Sequence, residues 1–218
     1  TDVVVKPEGV AMKPRIQQVP GQKVKVIDIG GENINYRYYD EKGNTLESES
    51  LDKLGVNHLE SFIKTKLRKY VKVKDIDVNS IDYLKAVSDC KIDEVLDQDI
   101  SDFENSHEFM REVVLDFVDM IIDGLDAKGV SLYRRGTKFL FTGGGSMLLK
   151  PYLEETLKNS KDYLVFSNTA YWDNCISYAI KDVGDRYKAA PGDIKENMQL
   201  AQIVANKMLK EADHLAIS

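Results

Sequence analysis

Apolar residues recur along this chain at two spacings, and the switches between them mark its elements. The β-branched run Val3-Val4-Val5 reads as a strand stopped by Lys6-Pro7. Residues 23–29 alternate lysine with valine before turning fully apolar, a second strand, and Pro14, Pro20 and Gly21 break any helix between the two. After Gly30-Gly31, residues 34–39 and 45–50 read as a hairpin around the turn Asp40-Glu41-Lys42-Gly43-Asn44. The spacing then becomes helical. Leu54, Leu59, Phe62, Ile63 and Leu67 share one face, while Lys64, Lys66, Arg68 and Lys69 take the solvated one.

Residues 72–104 are rich in acids and weak in periodicity, and read as a small helical insertion. From a Ser106 cap, Phe109, Met110, Val113, Val114, Phe117, Met120 and Ile121 form a wide apolar face, predicting a helix that packs on a sheet and ends before Gly124 and Gly129. Residues 138–142 read as a short buried strand running into Gly143-Gly144-Gly145, with Pro151 as the first residue of a helix to about Lys158. Residues 163–166 add a strand and 170–183 a helix. Asp193 and Glu196 have capping-box spacing before a last helix whose stripe is Ile194, Met198, Ala201, Val204, Met208 and Ala212. Strands first, then strands alternating with helices, predict an α/β fold with a mixed sheet flanked by helices.

Composition narrows the function classes. The 218 residues are 43% hydrophobic and 30% charged, enough for one large domain or a domain carrying an insertion. Thirty basic against 36 acidic side chains give a net charge of −6, the wrong sign for a surface that neutralises phosphates along a duplex, so direct nucleic-acid binding is not expected. Cys90 and Cys175 lie far apart without a CxxC, and there are three histidines, too few ligands for a disulfide framework or a zinc site. No apolar run approaches the roughly 20 residues that cross a bilayer, and TDVVVKPEG lacks a signal-peptide layout, so a cytoplasmic protein without membrane contact is expected. A strand that begins at once after Thr1 reads as a fragment of a longer chain.

Three motifs carry chemistry. Asp28-Ile29-Gly30-Gly31 puts a carboxylate at a strand end before two unshielded peptide units, which suits phosphate oxygens and a metal-bound water as well as it suits an ordinary capped turn. Thr142-Gly143-Gly144-Gly145, between a strand and a helix, lets backbone lie flush against a ring or a phosphate, or packs a helix close to a sheet. Pro7-Glu8-Gly9 sets a carboxylate where a base positioning a water would sit, or is an exposed loop. Neither GxxxxGK[ST] nor GxGxxG occurs, which removes the P-loop and dinucleotide-binding readings.

The order VVVKPEGVA, KVKVIDIGGENINY, KLGVNHLESFIKTKL, KFLFTGGGSMLL and FSNTAYWDNCISYAI resembles the second, C-terminal lobe of the actin-like ATPases, most closely the plasmid-segregation ParM/StbA branch, over residues 1 to about 180. The resemblance implies an actin-like, ribonuclease H-like lobe: residues 1–60 and 106–184 as its core, 61–105 as a helical insertion and 185–218 as a C-terminal helix. It implies ATP, with GTP possible, and Mg2+ as cofactors. By it Glu8 orients the hydrolytic water, Asp28 is the magnesium-side carboxylate, the amides of Gly30 and Gly31 face phosphate, and Gly143, Gly144 and Gly145 form the nucleoside shelf. Leu54-Gly55-Val56 opens the helix beneath. Glu32 and Asn33 stand where the family has hydroxyl residues touching phosphate, and Glu32 brings a negative charge towards a polyanion unless it points away.

Such proteins hold nucleotide between two lobes, so this chain resembles half a clamp, and hydrolysis by these residues alone is expected to be negligible. The implied parent is an ATPase that self-associates into filaments under nucleotide control and moves plasmid DNA through a DNA-binding adaptor. A sugar- or acetate-kinase-type phosphotransferase of the same superfamily, and a nucleotide-independent scaffold, are the alternatives. Tyr36, Tyr38, Tyr39 and Trp172 read as packing residues, and Cys90 and Cys175 as small core residues.

Overall fold

A computed structural model describes residues 23–70, 78, 79, 81–92, 106–133 and 138–215. The expected first strand at residues 3–5, Glu8, and most of the segment 71–105 lie outside the described residues. Five strands, β1 (Val24–Ile29), β2 (Asn33–Tyr39), β3 (Thr45–Asp52), β4 (Lys138–Thr142) and β5 (Leu164–Phe166), form one mixed sheet in the order β3-β2-β1-β4-β5. β1 pairs antiparallel with β2 and parallel with β4, β2 pairs antiparallel with β3, and β4 pairs parallel with β5. β1, hydrogen-bonded on both sides, is buried at every position. Its one lysine, Lys25, is 7% exposed, with its ammonium 5.3 Å from the Tyr38 ring centroid and 5.4 Å from that of Phe139.

The hairpin turn before β3 follows its sequence. Asp40 Oδ2 accepts from the Asn44 side chain at 2.9 Å, and its Oδ1 accepts from the Asn44 and Lys42 amides at 2.7 and 2.9 Å. These bonds, led by the Asn44 side chain, hold the Asp40 carboxyl below the usual carboxylate range.

Helices α1 (Val56–Tyr70), α2 (Tyr83–Asp89), α3 (Ser106–Ala127) and α4 (Gly144–Thr156) supply the other half of the core. Alternate residues of the sheet, Ile27 and Ile29, Ile34 and Tyr36, Phe139 and Phe141, share one cluster with Ile63 and Leu67 of α1, Met110, Val114 and Phe117 of α3, and Leu149 and Leu153 of α4. Phe62 and Phe117 join α1 to α3, their ring centroids 5.8 Å apart. Two further helices, α5 (Asp173–Ala189) and α6 (Ile194–Leu215), pack on each other, with Ile176 and Ile180 against Ala205. Asp193 Oδ1 caps α6, accepting from the Lys195 and Glu196 amides at 2.6 and 3.4 Å.

Several boundaries differ from the sequence reading, each for a local reason. α3 continues through Gly124, where a Cβ would come within 2.8 Å of Leu54 Cδ1 and 2.9 Å of Leu51 Cδ2, so the glycine serves close packing against the β3–α1 connection. The helix stops at Gly129, whose φ of +78° and the Val130 amide donating to the Leu125 carbonyl form a left-handed C-terminal cap. Met120 is 43% exposed, and Val118, Ile122 and Leu125 complete the buried face instead. α4 begins at Gly144, so Pro151 lies inside the helix and supplies no N–H there. α5 runs through Gly184 to Ala189, and Ile194 and Met198 of the expected α6 stripe are exposed while Ala201 and Ala205 are buried. Trp172 is exposed, not packed.

Replacing Phe117, which is 1% exposed at the α1–α3 junction, by alanine should lower stability in urea by about 3–5 kcal/mol. A loss below about 1 kcal/mol would mean that the two helices do not share this core.

Candidate functional site

The parallel neighbours β1 and β4 end side by side, with Asp28 opposite Thr142 in register. Ligand crevices in α/β sheets lie beyond such carboxyl ends. Each strand runs on into one of the glycine motifs, so the sheet brings together two segments more than a hundred residues apart in sequence.

Beyond β1, the Gly30 amide donates to the Asn33 carbonyl at 3.0 Å and closes a tight hairpin over Gly31 and Glu32. The carbonyls of this turn are spoken for by the start of α1. Gly55 N–H donates to Glu32, Val56 N–H to Gly30 and Asn57 N–H to Gly31, at 3.2, 3.0 and 2.8 Å. The first amides of a helix have no partner within it, so the turn caps α1 with backbone alone. Gly55 is what permits this approach, since a Cβ there would lie 2.2 Å from the Gly31 carbonyl oxygen. Among the described residues, the amides of Gly31 and Glu32 donate to no backbone acceptor.

Glu32 bears on the charge problem that the sequence raised. Its side chain, 73% exposed, turns onto the first turn of α1, where Oε1 accepts from Asn57 Nδ2 at 2.6 Å and Oε2 lies 3.3 Å from His58 Nε2. An acid at a helix N-terminus is favoured by the helix dipole, and here two side chains hold it there.

Beyond β4, Gly143 is the N-terminal cap of α4, with φ of +83°. A Cβ on it would stand 2.4 Å from Asp28 Oδ1 and 2.5 Å from the Ile29 carbonyl, so both conformation and space require glycine. Gly145 is pressed in the same way, with a Cβ 2.7 Å from Ile29 Cγ2 and from Val56 Cγ1. The second and third glycines are thus the first turn of a helix rather than a loop.

α5 closes the site. Asp173, fully buried, accepts hydrogen bonds from Thr142 Oγ1 and from Thr169 Oγ1, which fastens the start of α5 to the end of β4. The next residue, Asn174, then donates through Nδ2 to Asp28 Oδ2 at 3.1 Å. Asp28 is 4% exposed. Consecutive residues of α5 therefore hold the paired residues Thr142 and Asp28 of two strands.

Of the residues singled out from sequence, Asp28, Gly30, Gly31, Glu32, Asn33, Gly143, Gly144 and Gly145 come together at this sheet edge, while Glu8 lies outside the described residues. Sequence reasoning did not single out Asn57, His58, Thr169, Asp173 or Asn174, and it gave Thr142 only as the first residue of a glycine motif. Asn174 was inside a quoted segment, yet nothing in FSNTAYWDNCISYAI distinguishes a polar residue that grips Asp28 from one that faces water.

No protein-family model matches the chain, and no curated protein matches it. Solved structures do. The archaeal actin homologue Ta0583 superimposes with a TM-score of 0.58 at 21% identity, over 84% of this chain and 56% of that one. A ParM, the pCBH non-polymerisable quadruple mutant, gives a TM-score of 0.57 at 14% identity, over 80% of this chain and 52% of that one. The fold is actin-like. An activator of 2-hydroxyisocaproyl-CoA dehydratase from Clostridium difficile, solved with bound ADPNP, shares it with a TM-score of 0.52 at 13% identity, over 84% of this chain and 70% of that one. The chain spans about half the length of the actin homologue and the ParM.

Two of the described positive-φ glycines, Gly143 and Gly129, differ in how closely neighbouring atoms press on them. Gly143→Ala should lower the melting stability by about 2–4 kcal/mol, whereas Gly129→Ala, at φ of +78° with no atom within 4 Å of its Cβ, should lose only about 1–2 kcal/mol. Equal losses would mean that Gly143 is not pressed against Asp28.

Proposed function

We propose that this chain is a nucleotide-binding lobe of an actin-like ATPase whose filaments form with ATP and disassemble on its hydrolysis. The observation that carries the reading is the meeting of two glycine turns at Asp28, beyond the carboxyl ends of paired parallel strands, in an actin-like fold. The amides of Gly31 and Glu32 take phosphate oxygens, the Gly30 amide being bound to the Asn33 carbonyl, and Gly143, Gly144 and Gly145 support the nucleoside. The hold of Asn57 and His58 on the Glu32 carboxylate keeps its charge at the head of α1. GTP would use the same contacts.

Magnesium fits this site only as a companion of the nucleotide. Among the described residues no three His, Cys, Asp or Glu side chains converge as a metal cage. Mg2+ commonly takes one or two carboxylates and completes its shell with water and phosphate, which is what a lone Asp28 offers. A bound ion would neutralise charge on the phosphates beside Asp28. Glu8 is the proposed base that orients the attacking water.

Residues 1–60 and 106–184 are proposed as the body of the lobe, 61–105 as its insertion and 185–218 as an added C-terminal helix. A second lobe would complete the clamp and exclude water. The filament is proposed to move plasmid DNA in the cytoplasm through a DNA-binding adaptor, since a net charge of −6 does not favour the duplex itself. No helix among the described residues is long and apolar enough to cross a membrane.

Right-angle light scattering of the complete protein tests this. With Mg-ATP the signal should rise and then decay as nucleotide is consumed, and in a Glu8→Ala protein it should rise and persist at least several-fold longer. Flat traces from both proteins would remove the filament reading, and equal decay times would remove Glu8 from hydrolysis.

A further inference from the structure

α6 packs on α5 through small residues. Ala201 and Ala205 are buried, and Ala205 meets Ile176 and Ile180 of α5. Leu200 and Ile203 of the same helix stand in solvent, at 50% and 63% exposure. At about 100° per residue, these two lie on the side of α6 turned away from both alanines. α5 therefore covers one face of the helix and leaves apolar residues uncovered on another.

Leu200 and Ile203 belong to a longer stripe. Asp193, Glu196, Leu200, Ile203, Lys207 and Lys210 follow one another at alternating steps of three and four residues, and all six are exposed. A seam with that mean period lies straight along a second helix, as in a coiled coil. Along the stripe the acids come first, the apolar pair stands in the middle and the lysines come last. Acids near the start of a helix and lysines near its end suit the helix dipole, which accounts for the charges. It gives no reason for leaving a leucine and an isoleucine in water between them.

We propose that this stripe is the seat of a second copy of the chain, whose own α6 lies antiparallel along it. Leu200 then faces Ile203 of the second copy, Glu196 faces its Lys207 and Asp193 faces its Lys210, and the twofold axis repeats each contact. The parallel arrangement sets each of the four charged residues beside its own counterpart, like charge against like. Charge thus selects both the partner and its direction. A neutral helix of another protein would cover Leu200 and Ile203 but would leave the acids and lysines unmatched. The contact lies on α6 and uses no residue of the Asp28 site, so it stands independently of the nucleotide reading.

Sedimentation velocity of the full chain, without nucleotide and over a range of protein concentration, tests the pairing. The unaltered chain should pass from monomer to dimer as concentration rises. Ile203→Asp should remain a monomer with unchanged helix content by circular dichroism, because the side chain it replaces is exposed. Glu196→Lys and Lys207→Glu should each weaken the dimer about tenfold, since each sets like charges together at two symmetric places. The double variant that combines them exchanges the partners across the antiparallel seam and should return to within about threefold of the unaltered chain.

A chain that stays monomeric throughout the range overturns the proposal and leaves the stripe to a different protein. Dimerisation that survives Ile203→Asp overturns it as well, because another surface then joins the copies. A double variant that is as weak as the single ones overturns the antiparallel register.

Discussion

At the carboxyl end of β1, bare glycine backbone lies so close to β1 and its turn that no side chain fits at three positions. Gly55 approaches the Gly31 carbonyl, Gly143 approaches Asp28 and the Ile29 carbonyl, and Gly145 approaches Ile29 again. A methyl group at any of these positions would come within 2.2 to 2.8 Å of existing atoms. Because those approaches are possible, α1 can be capped by the hairpin turn, and α4 can begin directly above β4. The site's shape is thus a consequence of where glycine permits two helices to start.

Polar contacts then fix what glycine allows. A buried carboxylate is costly unless hydrogen-bonded, and each of the two here has named partners. Asp173 takes the hydroxyls of Thr142 and Thr169, and Asp28 takes the amide of Asn174. One latch orders the other. Since Asp173 locks the first residue of α5 to β4, Asn174 is delivered to Asp28 without a long flexible side chain having to find it. Glu32 follows the same economy at the opposite side of the turn, where Asn57 and His58 hold an acid that would otherwise face any bound anion.

Much of the fold was legible because periodicity reports burial. The strands β1, β2, β4 and β5 and the helices α1 and α3 sit where the apolar spacing predicts them, β3 where the Asp40–Asn44 turn does, and α6 where its Asp193 cap does although Ile194 and Met198 of its expected stripe are exposed. The boundaries that moved are those where glycine or proline carries two meanings. Gly124 reads as a helix stop but lets α3 pack against Leu51 and Leu54, and Pro151 reads as a helix start but lies mid-helix because Gly143 had already turned the chain. At the site, the glycines and Asp28 were visible as motifs at strand ends. Asp173, Thr169 and Asn174 were not, because their importance comes from partners on β1, on β4 and in the turn before α5, and a sequence pattern does not record which strands are neighbours. The exposure of Tyr171 and Trp172 escaped for the opposite reason, since aromatic residues beside an apolar helix ordinarily pack.

The account stands on the claim that the two glycine turns act as one phosphate and nucleoside site around Asp28. Mapping amide chemical shifts of the isotopically labelled chain by NMR, with and without Mg-ADP, addresses that directly. The largest changes should cluster at Gly30, Gly31 and Glu32 and at Gly143, Gly144 and Gly145, with Asn174 moving alongside them. Changes confined to one turn, or centred on another face of the protein, would contradict the account.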